Sequence, residues 1–134
     1  MIVFFDRDVG TSLPKALIEL HFDRQFHEMH YHQQLFPQKC DDDVWLPQVG
    51  QWGWTVIGHD SQHHAQQAEI SAIKQYSVGC FYLWGSEAKR WEKMRCFAKA
   101  YERIVQAEKA TPRPFIYRVG KTGALKLIPI PLSY

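Results

Sequence analysis

Long apolar runs are missing from this 134-residue sequence. The longest, Ile2 to Phe5 and Val78 to Trp84, are strand-sized, far below the roughly 18–20 residues that span a bilayer. No basic stretch precedes the first run and no small-residue cleavage site follows it, so a secretory leader is not expected. Cysteine is scarce. Three residues without a CxxC spacing argue against a disulfide scaffold and a Cys-type zinc site. Glycine and proline are also few, 8 and 7 against 19 aromatics, which excludes collagen, low-complexity and disordered classes. The 46% apolar content instead fits a globular core. One domain over 1–134 is expected, because halving the chain would leave two marginal cores. The expected setting is cytoplasmic, with no membrane partner.

An excess of one charge is missing too, since the net is only +2. The balance hides a division near residue 86. Residues 1–86 carry five Lys/Arg against ten Asp/Glu, a net of −5, and residues 87–134 carry eleven against four, a net of +7. All seven histidines fall in the acidic part. Such asymmetry suits a cation-binding region beside a polyanion-binding one, although a solvated basic helix on an acidic core gives the same numbers.

Periodicity orders the elements. Ile2 to Phe5 reads as a strand buried on both faces and ends abruptly at Asp6. A helix capped by Thr11 or Ser12 follows, with Pro14 in its first turn and Leu13, Leu17 and Leu20 on one face. Phe26 to Tyr31 alternates as a second strand. Val44, Trp45, Leu46 and Val49 follow at helical spacing, with Pro47 expected to kink or restart the helix and Gly53 to end it. Trp54 to Ile57 is a third strand that runs into Gly58-His59-Asp60. Ser61 to Tyr76 reads as a helix and Val78 to Trp84 as a fourth strand. The β-α-β-α-β-α-β order predicts an α/β fold, a mostly parallel sheet between helical layers. A long helix from Glu87 to Ala110 follows, with Trp91, Met94, Ala98, Tyr101 and Val105 at a/d-like spacing. Phe115–Val119 and Ala124–Ile128 around Gly120 to Gly123 read as a hairpin. Residues 1–86 thus form the α/β core, and 87–134 a helix and hairpin appended to it.

Asp6 and Asp60 each follow a strand, and in open parallel sheets such side chains meet where ligands bind. Two converging carboxylates repel, which favours a divalent cation between them. Oxygen donors suit Mg²⁺ or Mn²⁺. Capping of the next helix is the competing use of either acid. Asp41, Asp42 and Asp43 stand at a predicted helix start, where carboxylates are favoured in any case, and Asp42 and Asp43 are the pair taken to include a metal-facing acid. Glu69 has Ala65, Ala72 and Ile73 around it at helical spacing, on or beside the apolar face, where a carboxylate needs a partner.

Three segments, VFFDRDVGTSLPKAL, DDDVWLPQVGQWGWTVIGHD and PFIYRVGKTGALKL, carry a resemblance over nearly the whole chain. It is to the PIN-domain nucleases, most closely the small PIN-like branch related to VapC-type toxins. The resemblance implies a three-layer α/β/α sandwich, an acidic cluster holding Mg²⁺ or Mn²⁺, hydrolysis of RNA phosphodiester bonds, and inhibition by a cognate antitoxin protein. Asp6 matches the first acid, Asp60 the later strand-end acid, and Asp42 or Asp43 the second. Glu69 lies farther from Asp60 than the usual spacing. A homodimer is compatible with all of this.

Arg7, Arg95, Lys99 and Arg103 are the candidates for holding phosphates, the last three recurring every four residues. Glu28, His30 and His32 alternate onto one face of the second strand, and His59, His63 and His64 surround Asp60. Imidazoles with carboxylates suit Zn²⁺ or Mn²⁺, but HxH without a third ligand points as readily to solvated histidines. His59 could also assist proton transfer beside Asp60. Three functions therefore compete: a metal-dependent endoribonuclease acting as a toxin, a non-catalytic PIN-like module binding RNA or protein with its acids as helix caps, and a histidine-based zinc hydrolase.

Overall fold

The computed structural model describes residues 1–21, 28–37, 39–59 and 67–130, without the side chains of 42, 43, 67 and 68. One six-stranded sheet runs through it in the order β2-β1-β3-β4-β5-β6. The strands are β1 (Ile2–Phe5), β2 (Glu28–Tyr31), β3 (Thr55–His59), β4 (Gly79–Leu83), β5 (Phe115–Val119) and β6 (Leu125–Ile128). The first five pair in parallel, and β6 returns antiparallel to β5.

The helices are α1 (Ser12–Glu19), α2 (His32–Leu35), α3 (Asp42–Trp52), α4 (Gln67–Gln75) and α5 (Arg90–Ala110), with a 3₁₀ turn at Arg7–Val9. Strand alternation divides the core. Val3, Phe5, Ile57, Phe81 and Leu83 face one side, where Leu13 and Leu17 of α1 and Phe97, Ala100 and Ile104 of α5 cover them. Phe4, Val56, Cys80, Tyr82 and Ile116 face the other, against Trp45, Leu46 and Val49 of α3 and Ile73 of α4. This is the expected α/β architecture of helices on both faces of a mostly parallel sheet. No described helix is long and apolar enough to cross a membrane.

Several details differ from the sequence reading. The strand foreseen from Phe26 begins at Glu28, and the helix foreseen from Ser61 is seen from Gln67; residues 22–27, 38, 60–66 and 131–134 lie outside the described ones. Pro47 sits inside a continuous α3, which Gly53 ends in the left-handed conformation a glycine takes without steric cost. Leu20 is 64% exposed because α1 stops at Glu19 and Leu20 is its C-cap.

Two positions of the a/d reading of α5 turn outward. Trp91 is 60% exposed and Ala98 is exposed, while Met94 and Tyr101 pack against the core and Val105 is buried with Cys96, Phe97, Ala100 and Ile104. The hairpin decides this. Cys96 donates from Sγ to the Gly120 carbonyl, and a Cβ on Gly123 would come within 2.8 Å of the Lys99 backbone. The hairpin itself continues the main sheet, since β5 pairs along all of β4 from Gly79↔Phe115 to Leu83↔Val119.

Candidate strand-end site

The carboxyl ends of β1, β3 and β4 share one edge. β1 ends at Phe5, and the Asp6 N–H extends its pairing by donating to the Ile57 carbonyl at 2.8 Å. The alternation that buries Phe4 turns Asp6 to the same face, toward α3 and α4. Across that edge Gly58 pairs with Tyr82. A Cβ at Gly58 would lie 3.2 Å from the Tyr82 ring and 3.7 Å from the Asp6 Cβ, so the missing side chain is what lets Asp6 and Tyr82 approach.

Glu69 arrives from above. α4 runs back toward the start of β4, which puts its first turn at the strand-end edge. Glu69 is buried there, and the Tyr82 hydroxyl donates to its Oε1 at 2.6 Å. Burial above all, then the acidic groups of Cys80, Glu69 and Asp6, push the Tyr82 hydroxyl well above its ordinary pKa, so it stays a donor. The Cys80 thiol is pushed up for the same reasons, burial first and then Glu69 and Asp6. Two of the sequence candidates, Asp6 and Glu69, are thus brought into one electrostatic neighbourhood.

Asp6 and Asp8 already serve the fold. Asp6 is the N-cap of the 3₁₀ turn, accepting the Arg7 N–H at 2.6 Å. Asp8 accepts the His59 N–H at 3.3 Å. Asp42 opens α3, whose N-terminus lies at this edge because the helix feeds the start of β3; Asp41 before it is the N-cap but makes no side-chain capping bond. The side chains of Asp42 and Asp43, and Asp60 with His63 and His64, lie outside the described residues. Among the described residues, no three His, Cys, Asp or Glu side chains gather as a metal-ligand set. Asp6 and Glu69 supply two oxygen donors suited to Mg²⁺ or Mn²⁺, short of such a set by themselves.

The histidines separate. His30 pairs with Glu28 at 2.8 Å and stacks on Trp54. His32 leaves the strand for α2 and is buried beside Phe4, Phe36 and Trp45, so the expected shared HxH face does not form. His59 lies on the opposite face of β3 from Gly58, buried, with Nδ1 3.3 Å from the Leu83 carbonyl. Burial lowers its pKa, the bond to Leu83 opposes this, and the charge of Lys93 lowers it further. The imidazole is therefore neutral near pH 7, with Nδ1 as the donor.

Of the basic candidates only Arg7 adjoins the strand-end acids. Arg7 is exposed beside Asp6, and Arg95, Lys99 and Arg103 lie exposed on the outer face of α5. Arg90 and Lys93 stand in the first turn of α5, where the charge of Lys93 reaches His59 at the end of β3, and sequence periodicity gave no reason to separate them from the rest of the helix. Tyr82 was equally hidden, inside an apolar run that reads as core.

Residues 1–85 match the family model described as a PIN like domain. No curated protein and no solved structure matches the chain. The match spans more than half of the 134 residues and both strand-end acids that the structure brings together. With its mostly parallel sheet between helical layers, the chain belongs to the PIN-like domain family.

Proposed function

We propose that this chain is a PIN-like module that binds RNA without cutting it, and that its strand-end acids hold the fold. The observation carrying this reading is the state of those acids: Asp6, Asp8 and Glu69 each accept a hydrogen bond from their own chain. RNA is the favoured partner because residues 87–134 carry a net of +7 and Arg95, Lys99 and Arg103 are exposed in a line on α5. The test is fluorescence anisotropy with labelled single-stranded RNA, run with and without Mn²⁺, together with gels that follow its length. Binding that survives Asp6→Asn, with RNA of unchanged length, is the expected result. Fragments that form only with Mn²⁺ and vanish in Asp60→Asn would overturn it.

A second reading keeps the nuclease. Asp6 and Glu69 are both buried beside Tyr82, and Asp60 follows β3 directly. In that reading Asp6, Asp60, Glu69 and Asp42 or Asp43 hold Mg²⁺ or Mn²⁺. A bound cation supplies Lewis acidity at the scissile phosphate. Arg7 then binds substrate, and the chain is a VapC-type toxin restrained by a cognate antitoxin, with a homodimer as a compatible state. Growth arrest on induction, lost in Asp6→Ala and Asp60→Ala and relieved by a small protein encoded beside it, would establish this reading.

A further inference from the structure

We propose that the cleft between the start of α1 and the first turn of α5 seats one nucleotide of a single-stranded RNA, its phosphate held by Arg90 and Lys93. The proposal rests on the RNA-binding reading and deepens it. The cleft encloses about 400 Å³, with Thr11, Ser12 and Leu13 on one wall and Arg90, Lys93 and Met94 on the other. That volume lies within the range of roughly 300–1,000 Å³ usual for small-molecule sites.

Within the helix its charge is unfavourably placed. Arg90 and Lys93 stand three residues apart, near one face of α5, where like charges repel. They also occupy the first turn, the positive end of the helix dipole, which favours acids. Both effects disfavour the pair, and an anion between them reverses both. No carboxylate lines the cleft among the described residues.

The opposite wall is complementary. α1 begins here with Thr11 as its N-cap, and no side-chain bond closes that helix end. The hydroxyls of Thr11 and Ser12 and the start of the helix therefore add donors to the two cations. Leu13 and Met94 supply apolar surface for a ribose or base. The location fits as well. The charge of Lys93 reaches His59, at the carboxyl end of β3. The cleft thus lies on the α1/α5 side of the sheet edge whose α3/α4 side carries Asp6 and Glu69. Cations sit on one side of this edge and acids on the other.

The experiment titrates a fluorescein-labelled single-stranded RNA into the full chain over a range of KCl concentrations. Arg90→Gln/Lys93→Gln protein should bind about tenfold more weakly at low salt. Its slope of log affinity on log salt should fall by about 0.7, since the one phosphate neutralised between the two cations contributes about 0.7 on a single strand. Arg90→Glu alone, at an exposed position, should weaken binding in the same direction and keeps the test decisive if the double variant fails a circular-dichroism check. A nucleoside monophosphate should displace the RNA at lower concentration than inorganic phosphate does. Equal competition would overturn the nucleotide assignment. Wild-type binding with an unchanged slope in the double variant would overturn the cleft and leave RNA binding standing. A wild-type chain that binds no RNA would overturn both.

Discussion

Replacing Tyr82 with phenylalanine removes a single oxygen and leaves the ring where it packs beside Gly58. The hydroxyl donates to buried Glu69 at 2.6 Å, and only 4% of Tyr82 and 9% of Glu69 are exposed. A neutral hydrogen bond stabilises a fold by about 1 kcal/mol, and one to a charged group by about 1.5–3 kcal/mol. Because burial leaves little water to replace the lost donor, the loss exceeds that of an ordinary neutral bond, and about 2 kcal/mol is expected. With a urea m value of about 2 kcal/mol/M, this lowers the unfolding midpoint by about 1 M at unchanged m. Tryptophan fluorescence reads the transition through five Trp residues. A double-mutant cycle with Glu69→Gln should return a coupling of about 1–2 kcal/mol, isolating the pair from its surroundings. A Tyr82→Phe midpoint within about 0.2 M of wild type, with no coupling in the cycle, would refute the claim that this contact holds the strand-end acid in place.

Acidification should weaken the fold in part through His59. Its folded pKa lies below 6.5 because burial disfavours the charged ring, so the stability it contributes is complete above about pH 6.5 and is lost as pH falls toward the folded value. Urea midpoints between about pH 7.5 and 5.5 should slope less steeply in His59→Gln than in wild type. Gly50→Ala would place a methyl 2.7 Å from the Tyr76 Cβ and 3.0 Å from its carbonyl. The resulting loss of about 1–3 kcal/mol, visible by calorimetry, should outweigh the helix-propensity gain of about 1 kcal/mol. Arg113→Lys should cost about 1–3 kcal/mol in urea denaturation. One ammonium cannot replace a guanidinium that bonds the Gly53 and Trp54 carbonyls, Thr55 Oγ1 and Glu108 Oε1 together.

What was legible in the sequence had a local cause. β1 and Asp6 stood out because four apolar residues end in an acid, which only a buried strand reaching a polar edge explains. Glu69 was legible through Ala72 and Ile73 at helical spacing, and its burial follows from that geometry. Tyr82 was not legible, because its partner lies thirteen residues away across a helix–strand junction. Trp91 and Ala98 on α5 were misread for the same reason. An a/d pattern assumes a helical neighbour, whereas here a β-hairpin turn fixes the rotation through Cys96 and Gly123. His32 followed the alternation of a strand that had already ended at Tyr31.

The family match stops at residue 85, yet the sheet does not. A protein cut there would leave β4 as an unpaired edge along its whole length, with the N–H and C=O groups that now meet β5 left open. Loss of α5 would at the same time uncover the Phe5, Phe81 and Leu83 side of the sheet. Such a fragment combines a bare strand edge with a bare apolar face, the two ingredients of edge-to-edge aggregation. Expression trials of the family-matched segment alone should therefore give inclusion bodies where the full chain stays in solution. The arginine clasp from Arg113 to the start of β3 marks the physical reason: the last third of the chain is bolted to the first strands.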